Sequence, residues 1–183
     1  MDAKSDKEPM KNSGTLQVTT PSDREVAMAR VFDAPRRVLY EAWTKPDLLK
    51  RWLYGPEDWP LAVCEIDLRV GGTLRFVWRH RGGDGKDMGM SGVYREIAPP
   101  DRLVFTEVFD EDWTGGETLV TMTFAEHAGK TTVTQTVRYS SRAARDGALK
   151  TDMAEGMGQS YDRLVGLLPS LAGRGMEKGA QGA

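Results

Sequence analysis

The sequence predicts an α+β fold: a curved seven-stranded antiparallel sheet wrapped around a long C-terminal helix, with two short helices between the first and second strands. Three observations predict it. From Pro60 to Tyr139 apolar and polar residues alternate in short runs separated by turn residues. From Ser141 to Leu168 the residues Met153, Met157, Tyr161, Leu164 and Leu168 recur at spacings of four, four, three and four, one stripe of a helix of period 3.6. Between Asp33 and Pro56 the pattern is helical but broken by Pro46.

Taken in order, residues 1 to 14 are charged and carry little to bury, and are expected to be a disordered tail. A single domain is expected over residues 15–169. The run Glu25–Phe32 reads as the first strand, with a short extension before the Pro21-Ser22-Asp23 break. Asp33 is placed to cap the next helix, and Pro35 sits near its first position, where a missing N–H costs nothing. Val38, Leu39, Ala42 and Trp43 make one apolar face, and Leu48, Leu49, Trp52 and Leu53 a second.

Six strands then follow, over Leu61–Asp67, Thr73–Arg79, Met88–Ile97, Leu103–Phe109, Glu117–Phe124 and Thr131–Tyr139. Glycine-rich and proline-rich turns separate them, the mark of hairpins and hence of antiparallel pairing. In the final helix Asp152, Glu155, Gln159, Asp162 and Arg163 lie opposite the apolar stripe and are expected to face water. Gly147, Gly156, Gly158 and Gly166 each cost roughly 1 kcal/mol against alanine in a helix interior. They are expected where a second backbone comes close or a cavity needs room. Pro169 is expected to stop the helix, leaving residues 170–183 as a flexible tail.

Composition narrows function. The 183 residues carry 25 basic and 27 acidic side chains, interleaved, which offers no basic patch for nucleic acid or an anionic membrane. The single cysteine, Cys64, excludes an intrachain disulfide and a cysteine zinc cluster, and points weakly to the cytoplasm. The N-terminal stretch has no apolar core region, so no signal peptide is expected.

Several stretches resemble a known family. VFDAPRRVLYEAWTKPDLLKRWLYGP is similar to the opening of helix-grip proteins of the START-like (SRPBCC) superfamily. CEIDLRVGGTLRF, MSGVYREIAPPDRLVFTE and ARDGALKTDMAEGMGQSYDRLVGLL resemble one branch of it, named after the activator of the heat-shock-protein-90 ATPase and similar to polyketide-cyclase-like proteins. The turn Asp67-x-x-x-Gly71-Gly72 and the turn Pro99-Pro100-Asp101-Arg102-Leu103 carry most of the likeness, which spans about residues 20 to 168. The resemblance implies a helix-grip fold with an internal cavity for an apolar or amphipathic ligand. It implies no reaction and no cofactor. The eukaryotic chaperone activators carry a further N-terminal domain for which this chain has no room, so ligand binding is expected ahead of chaperone activation.

Alternation supplies the candidate lining. Phe76 and Trp78 share a strand face with Leu74; Phe105, Glu107 and Phe109 share one with Leu103; Met122 shares one with Val120 and Phe124. If these faces point inward they converge on Met153, Met157 and Tyr161, with Trp52 on the short helices at one end. The same residues would equally fill a solid core. Glu107 either faces water in the opposite register or sits among aromatic rings with a raised pKa, or with Arg75 or Tyr161 as partner. With Tyr161 it would form an acid/base pair for a cyclase or hydrolase. Gln135 is a further polar candidate, and Trp59 and Trp113 lie in loops that either cap the sheet or edge a binding site.

Other chemistry is thin. His80 and His127 sit at loop edges without a serine or cysteine at motif spacing, and Cys64 reads as a small buried hydrophobe. Asp110-Glu111-Asp112 lacks the ligand spacing of a calcium loop, and no metal or cofactor is expected. The expected partner is a small hydrophobic molecule, with a chaperone or other protein as the alternative and the chain a monomer or homodimer.

Overall fold

The structure is a computed structural model and describes residues 16–83 and 85–177. The N-terminal stretch to residue 14 and the end of the C-terminal tail lie outside the described residues. The elements run β1 (Gln17–Thr19), β2 (Glu25–Phe32), α1 (Arg36–Thr44), α2 (Pro46–Leu49), β3 (Leu61–Ile66), β4 (Thr73–Trp78), β5 (Met88–Ala98), β6 (Arg102–Phe109), β7 (Thr118–His127), β8 (Lys130–Arg138), α3 (Arg142–Leu149) and α4 (Met153–Glu177). All strands join one antiparallel sheet in the order β1-β2-β8-β7-β6-β5-β4-β3. This is the helix-grip arrangement.

Eight strands replace the expected seven. The stretch before Pro21 does not extend β2; it folds back on it through the Ser22–Arg24 turn and pairs Val18 with Met28. α1 also starts differently. Its N-cap is Pro35 and no side chain caps it. The Arg36 N–H instead donates to Glu126 Oε2 at 2.9 Å, so the β7–β8 hairpin does the work expected of Asp33.

The sheet register lays out rows of inward side chains. Met28 lies opposite Gln135, Gln135 opposite Met122, and Met122 opposite Leu103, one row across four strands. The next row runs Val26, Val137, Val120, Phe105, Tyr94. The turn before β4 explains the Asp67-x-x-x-Gly71-Gly72 motif. Gly71 adopts φ +81°, its N–H donates to the Tyr94 carbonyl at 2.8 Å, and a Cβ on Gly72 would lie 2.1 Å from the Asp67 carbonyl oxygen. The other quoted turn contains a cis peptide bond between Pro99 and Pro100.

The single long helix expected from Ser141 is two helices. Ser141 caps α3 by accepting from the Ala144 N–H at 3.1 Å. The break falls at residues 150–152. There the Thr151 hydroxyl donates to the Ala148 carbonyl at 2.7 Å and accepts from the Met153 N–H at 3.4 Å, taking backbone partners from the helix ladder. At the far end Pro169 does not stop α4, which continues to Glu177. Pro169 and Val165 are both exposed, so water reaches the Val165 carbonyl that lacks its usual donor. The continuation buries Leu171, which extends the stripe of Leu164 and Leu168 and offsets the cost of the proline. Residues 170–177 are thus helical rather than a loose tail.

Candidate functional site: a cavity between sheet and helix

A cavity of about 650 Å³ lies between the inner face of the sheet and the N-terminal half of α4. β4 supplies Leu74, Phe76 and Trp78; β5 supplies Met88, Met90 and Tyr94; β6 supplies Leu103, Phe105, Glu107 and Phe109. Met28, Met122, Gln135 and Val137 close the floor. The opposite wall is Leu49, Leu53, the Tyr54-Gly55-Pro56 loop, Met153, Gly156, Met157 and Ser160. Trp59 and Trp113, the two loop tryptophans, both contribute to the wall.

Eight of the ten residues selected from the sequence line this cavity: Phe76, Trp78, Phe105, Glu107, Phe109, Met122, Met153 and Met157. Trp52 and Tyr161 do not. Both are fully buried and pack against Trp43, whose ring is part of the wall, at centroid separations of 4.5 and 5.6 Å. Phe32 closes on Tyr161 at 5.4 Å, so the α1–α2 end of the interior is solid aromatic core. Spacing had put Tyr161 on the stripe with Met153 and Met157. It could not show that the sheet meets the helix at Tyr161 and stands away from it at Met153.

The walls are held by directed bonds. Trp78 Nε1 donates to the Leu53 carbonyl at 2.8 Å, which ties β4 to the loop after α2. Ser160 Oγ donates to the Tyr54 carbonyl at 2.9 Å, and Arg163 donates to the same oxygen while its guanidinium lies 3.9 Å from the Tyr54 ring centroid. Arg163 therefore clasps the loop instead of facing water. Asp162 is solvent-exposed as expected, yet it accepts from buried Arg30 at 2.7 Å. Gly156 is the glycine that a close backbone requires: a Cβ on the facing Gly55 would come within 3.4 Å of the Gly156 Cα. At Gly147 and Gly166 an added Cβ would meet nothing, so close packing does not account for those two.

Glu107 points inward. Thr118 Oγ1 donates to its Oε2 at 3.3 Å, and no cation is paired with it among the described residues. Its surface is half-buried only because the cavity itself admits solvent. Burial among apolar groups raises its pKa from the ordinary 4.5 to about 7, and the Thr118 hydrogen bond lowers it in part. Arg75 is not its partner. That side chain makes two hydrogen bonds to Asp110, at 2.7 and 2.6 Å, on the outer face of the sheet. The phenol near Glu107 is Tyr139, one residue past the end of β8. Burial and then the Glu107 charge push its pKa up, and its hydroxyl donates to Met153 Sδ at 3.6 Å. Sequence reasoning did not select Tyr139, although the alternation Val133, Gln135, Val137, Tyr139 puts it on the inward face.

The remaining candidates resolve simply. His80 Nε2 lies 3.0 Å from Asp58 Oδ2 with its ring against Trp59, and His127 is exposed at a hairpin tip. Burial raises the Cys64 thiol to about 11, which makes it a poor nucleophile. In the acidic loop, Glu111 pairs with Lys86 and Asp112 accepts from the Gly116 N–H. Among the described residues no helix is long and apolar enough to cross a membrane.

The family model described as "Activator of Hsp90 ATPase homolog 1-like protein" matches residues 33–169. The chain belongs to this AHSA1-like family. A solved protein from Rhodobacter sphaeroides is 33% identical and superposes with a TM-score of 0.80, over 86% of this chain and 99% of that one. Two others share the fold. A Mycobacterium smegmatis protein is 24% identical with a TM-score of 0.72, covering 84% of this chain and 96% of its own. An AHSA1-like protein from Aeromonas hydrophila is 22% identical with a TM-score of 0.61, covering 76% of this chain and 91% of its own. No curated protein matches the chain.

Proposed function

We propose that this AHSA1-like protein binds a hydrophobic or amphipathic small molecule in the cavity between the sheet and α4. The observation that carries the reading is the void itself. Some 650 Å³ bounded by aromatic rings and methionines is ample for a small organic molecule, and a few polar groups, Glu107, Gln135 and Tyr139, stand ready to orient it. Flexible thioethers at Met88, Met90, Met122, Met153 and Met157 let the wall conform to its guest.

Tryptophan fluorescence of the full chain, titrated with a panel of neutral and charged apolar compounds, tests this. Saturable quenching is expected, and Met153→Trp, which intrudes on the void, is expected to weaken it at least tenfold with the fold retained. Quenching that Met153→Trp leaves unchanged, or no response across the panel, would overturn the reading.

A second reading, turnover of the bound molecule, is favoured by one observation: Glu107 has a pKa near neutrality beside a phenol in an apolar pocket, which suits general acid–base work. Loss of turnover in both Glu107→Gln and Tyr139→Phe, with the fold intact, would support it. A chaperone partner is supported by the family description alone, and a pull-down with the purified chaperone tests it.

A further inference from the structure

The charged groups that line the cavity are all of one sign. Glu107 and Asp152 are carboxylates, and among the described residues no lysine, arginine or histidine is part of the wall. Three arginines on the elements that build the cavity are already engaged. Arg163 is held by the Tyr54 carbonyl and ring, Arg30 by Asp162, and Arg75 by Asp110 on the other face of the sheet. Glu107 itself has one neutral partner, the Thr118 hydroxyl on Oε2, and lines a space walled by rings. Phe105 and Phe109 flank it on its own strand face, Trp113 packs at a tilt against Phe109 at a centroid separation of 4.8 Å, and Tyr139 stands close enough to feel its charge.

A lone carboxylate among aromatic faces is a poor host for an anion and a good one for a cation. An ammonium placed there gains a charge-assisted hydrogen bond and the attraction of the surrounding π-faces. It also removes the cost of leaving the carboxylate unpaired away from bulk water. We propose that the ligand is an apolar molecule bearing one protonated amine, and that its ammonium sits against Glu107. This rests on the ligand-binding reading above and narrows it: fatty acids and other carboxylates are rejected, and neutral analogues bind without the extra contact.

Three probes with the same apolar body separate the cases: decylamine, decanol and decanoate, titrated into the full chain by calorimetry at pH 8. Decylamine is expected to bind at least tenfold tighter than decanol, and decanoate at least tenfold weaker. Glu107→Gln is expected to erase the amine's advantage while decanol affinity stays within about threefold. The wild-type protein supplies an independent arm. Thr118 from β7 bonds Glu107, and the titratable groups that line the same cavity are Tyr139 beyond β8, Tyr94 from β5, Tyr54 and Asp152. Burial moves the Tyr94 and Tyr139 phenols up, away from the neutral range, while Glu107 titrates within it. Decylamine affinity is therefore expected to rise about tenfold from pH 6 to pH 8 as Glu107 ionises. Affinity that falls over this range would mean that a neutral carboxyl donates to the ligand, and would overturn the proposal. Equal affinity for all three probes would overturn it while leaving the general binding reading intact. No binding of any probe would overturn both.

Discussion

The two ends of the interior are built from the same kinds of residue and do opposite things. At the α1–α2 end, Phe32, Trp43, Trp52, Phe124 and Tyr161 interlock with ring centroids 4.5 to 6.1 Å apart. At the α3–α4 end, Phe76, Trp78, Phe105, Phe109 and Trp113 line a void. The difference is not composition but support. At the first end α1 packs onto β7 and β8. At the second, the chain between β8 and α4 is broken at Thr151, and α4 meets the loop after α2 through the close approach of Gly55 and Gly156 and the Ser160 and Arg163 bonds to Tyr54. Aromatic content alone therefore does not tell a core from a pocket; the distance set by the covering helices does.

Paired truncations break this comparison most sharply. Phe124→Ala, in the solid half, is expected to cost about 3–5 kcal/mol in chemical denaturation. Phe105→Ala, whose ring already has empty space on one side, is expected to cost less than half as much, because fewer packed contacts are lost. Equal losses would mean that the second half is as tightly filled as the first.

A smaller effect comes from pH. Glu107 has a folded pKa of about 7 against an ordinary 4.5, so the folded state holds its proton more tightly than the unfolded chain does. Its contribution is full below about pH 4.5 and is lost as pH rises through 7. Against Glu107→Gln, wild-type stability is expected to fall by on the order of 2 kcal/mol between pH 5 and pH 8. Parallel stability profiles for the two proteins would place the carboxylate in water.

The smallest effect tests the helix rather than the void. Gly166 is exposed, inside α4, with nothing within 4 Å of an added Cβ. Gly166→Ala is expected to raise stability by about 0.5–1 kcal/mol with ligand affinity unchanged. A drop in stability would show that the glycine has a packing role.

Much of this was legible in the sequence because period-two alternation and hairpin turns are local signals. They located seven of the eight strands and put Phe76, Trp78, Phe105 and Met122 on inward faces. What stayed illegible was long-range. Periodicity left the Glu107 register open, since an acidic residue in an apolar row argues against its own row. Nothing local separated Tyr161 from Met157, one turn away on the same stripe but on the other side of the boundary between packed and empty. The α3–α4 break did have a local signal in Thr151-Asp152, two residues that favour helix starts, but the apolar stripe masked it. Pro169 misled in the other direction, because the benefit of burying Leu171 depends on tertiary contacts that a proline rule does not weigh.

The contact between Gly55 and Gly156 has a mechanical consequence. With the Ser160 and Arg163 side chains both bonded to the Tyr54 carbonyl, that strip of loop and that turn of helix are stapled together. Swelling to admit a bulkier guest is then expected from the Met153 side, where a helix joint and pliant sulfur chains offer slack. The binding chamber is elastic along one seam and rigid along the other.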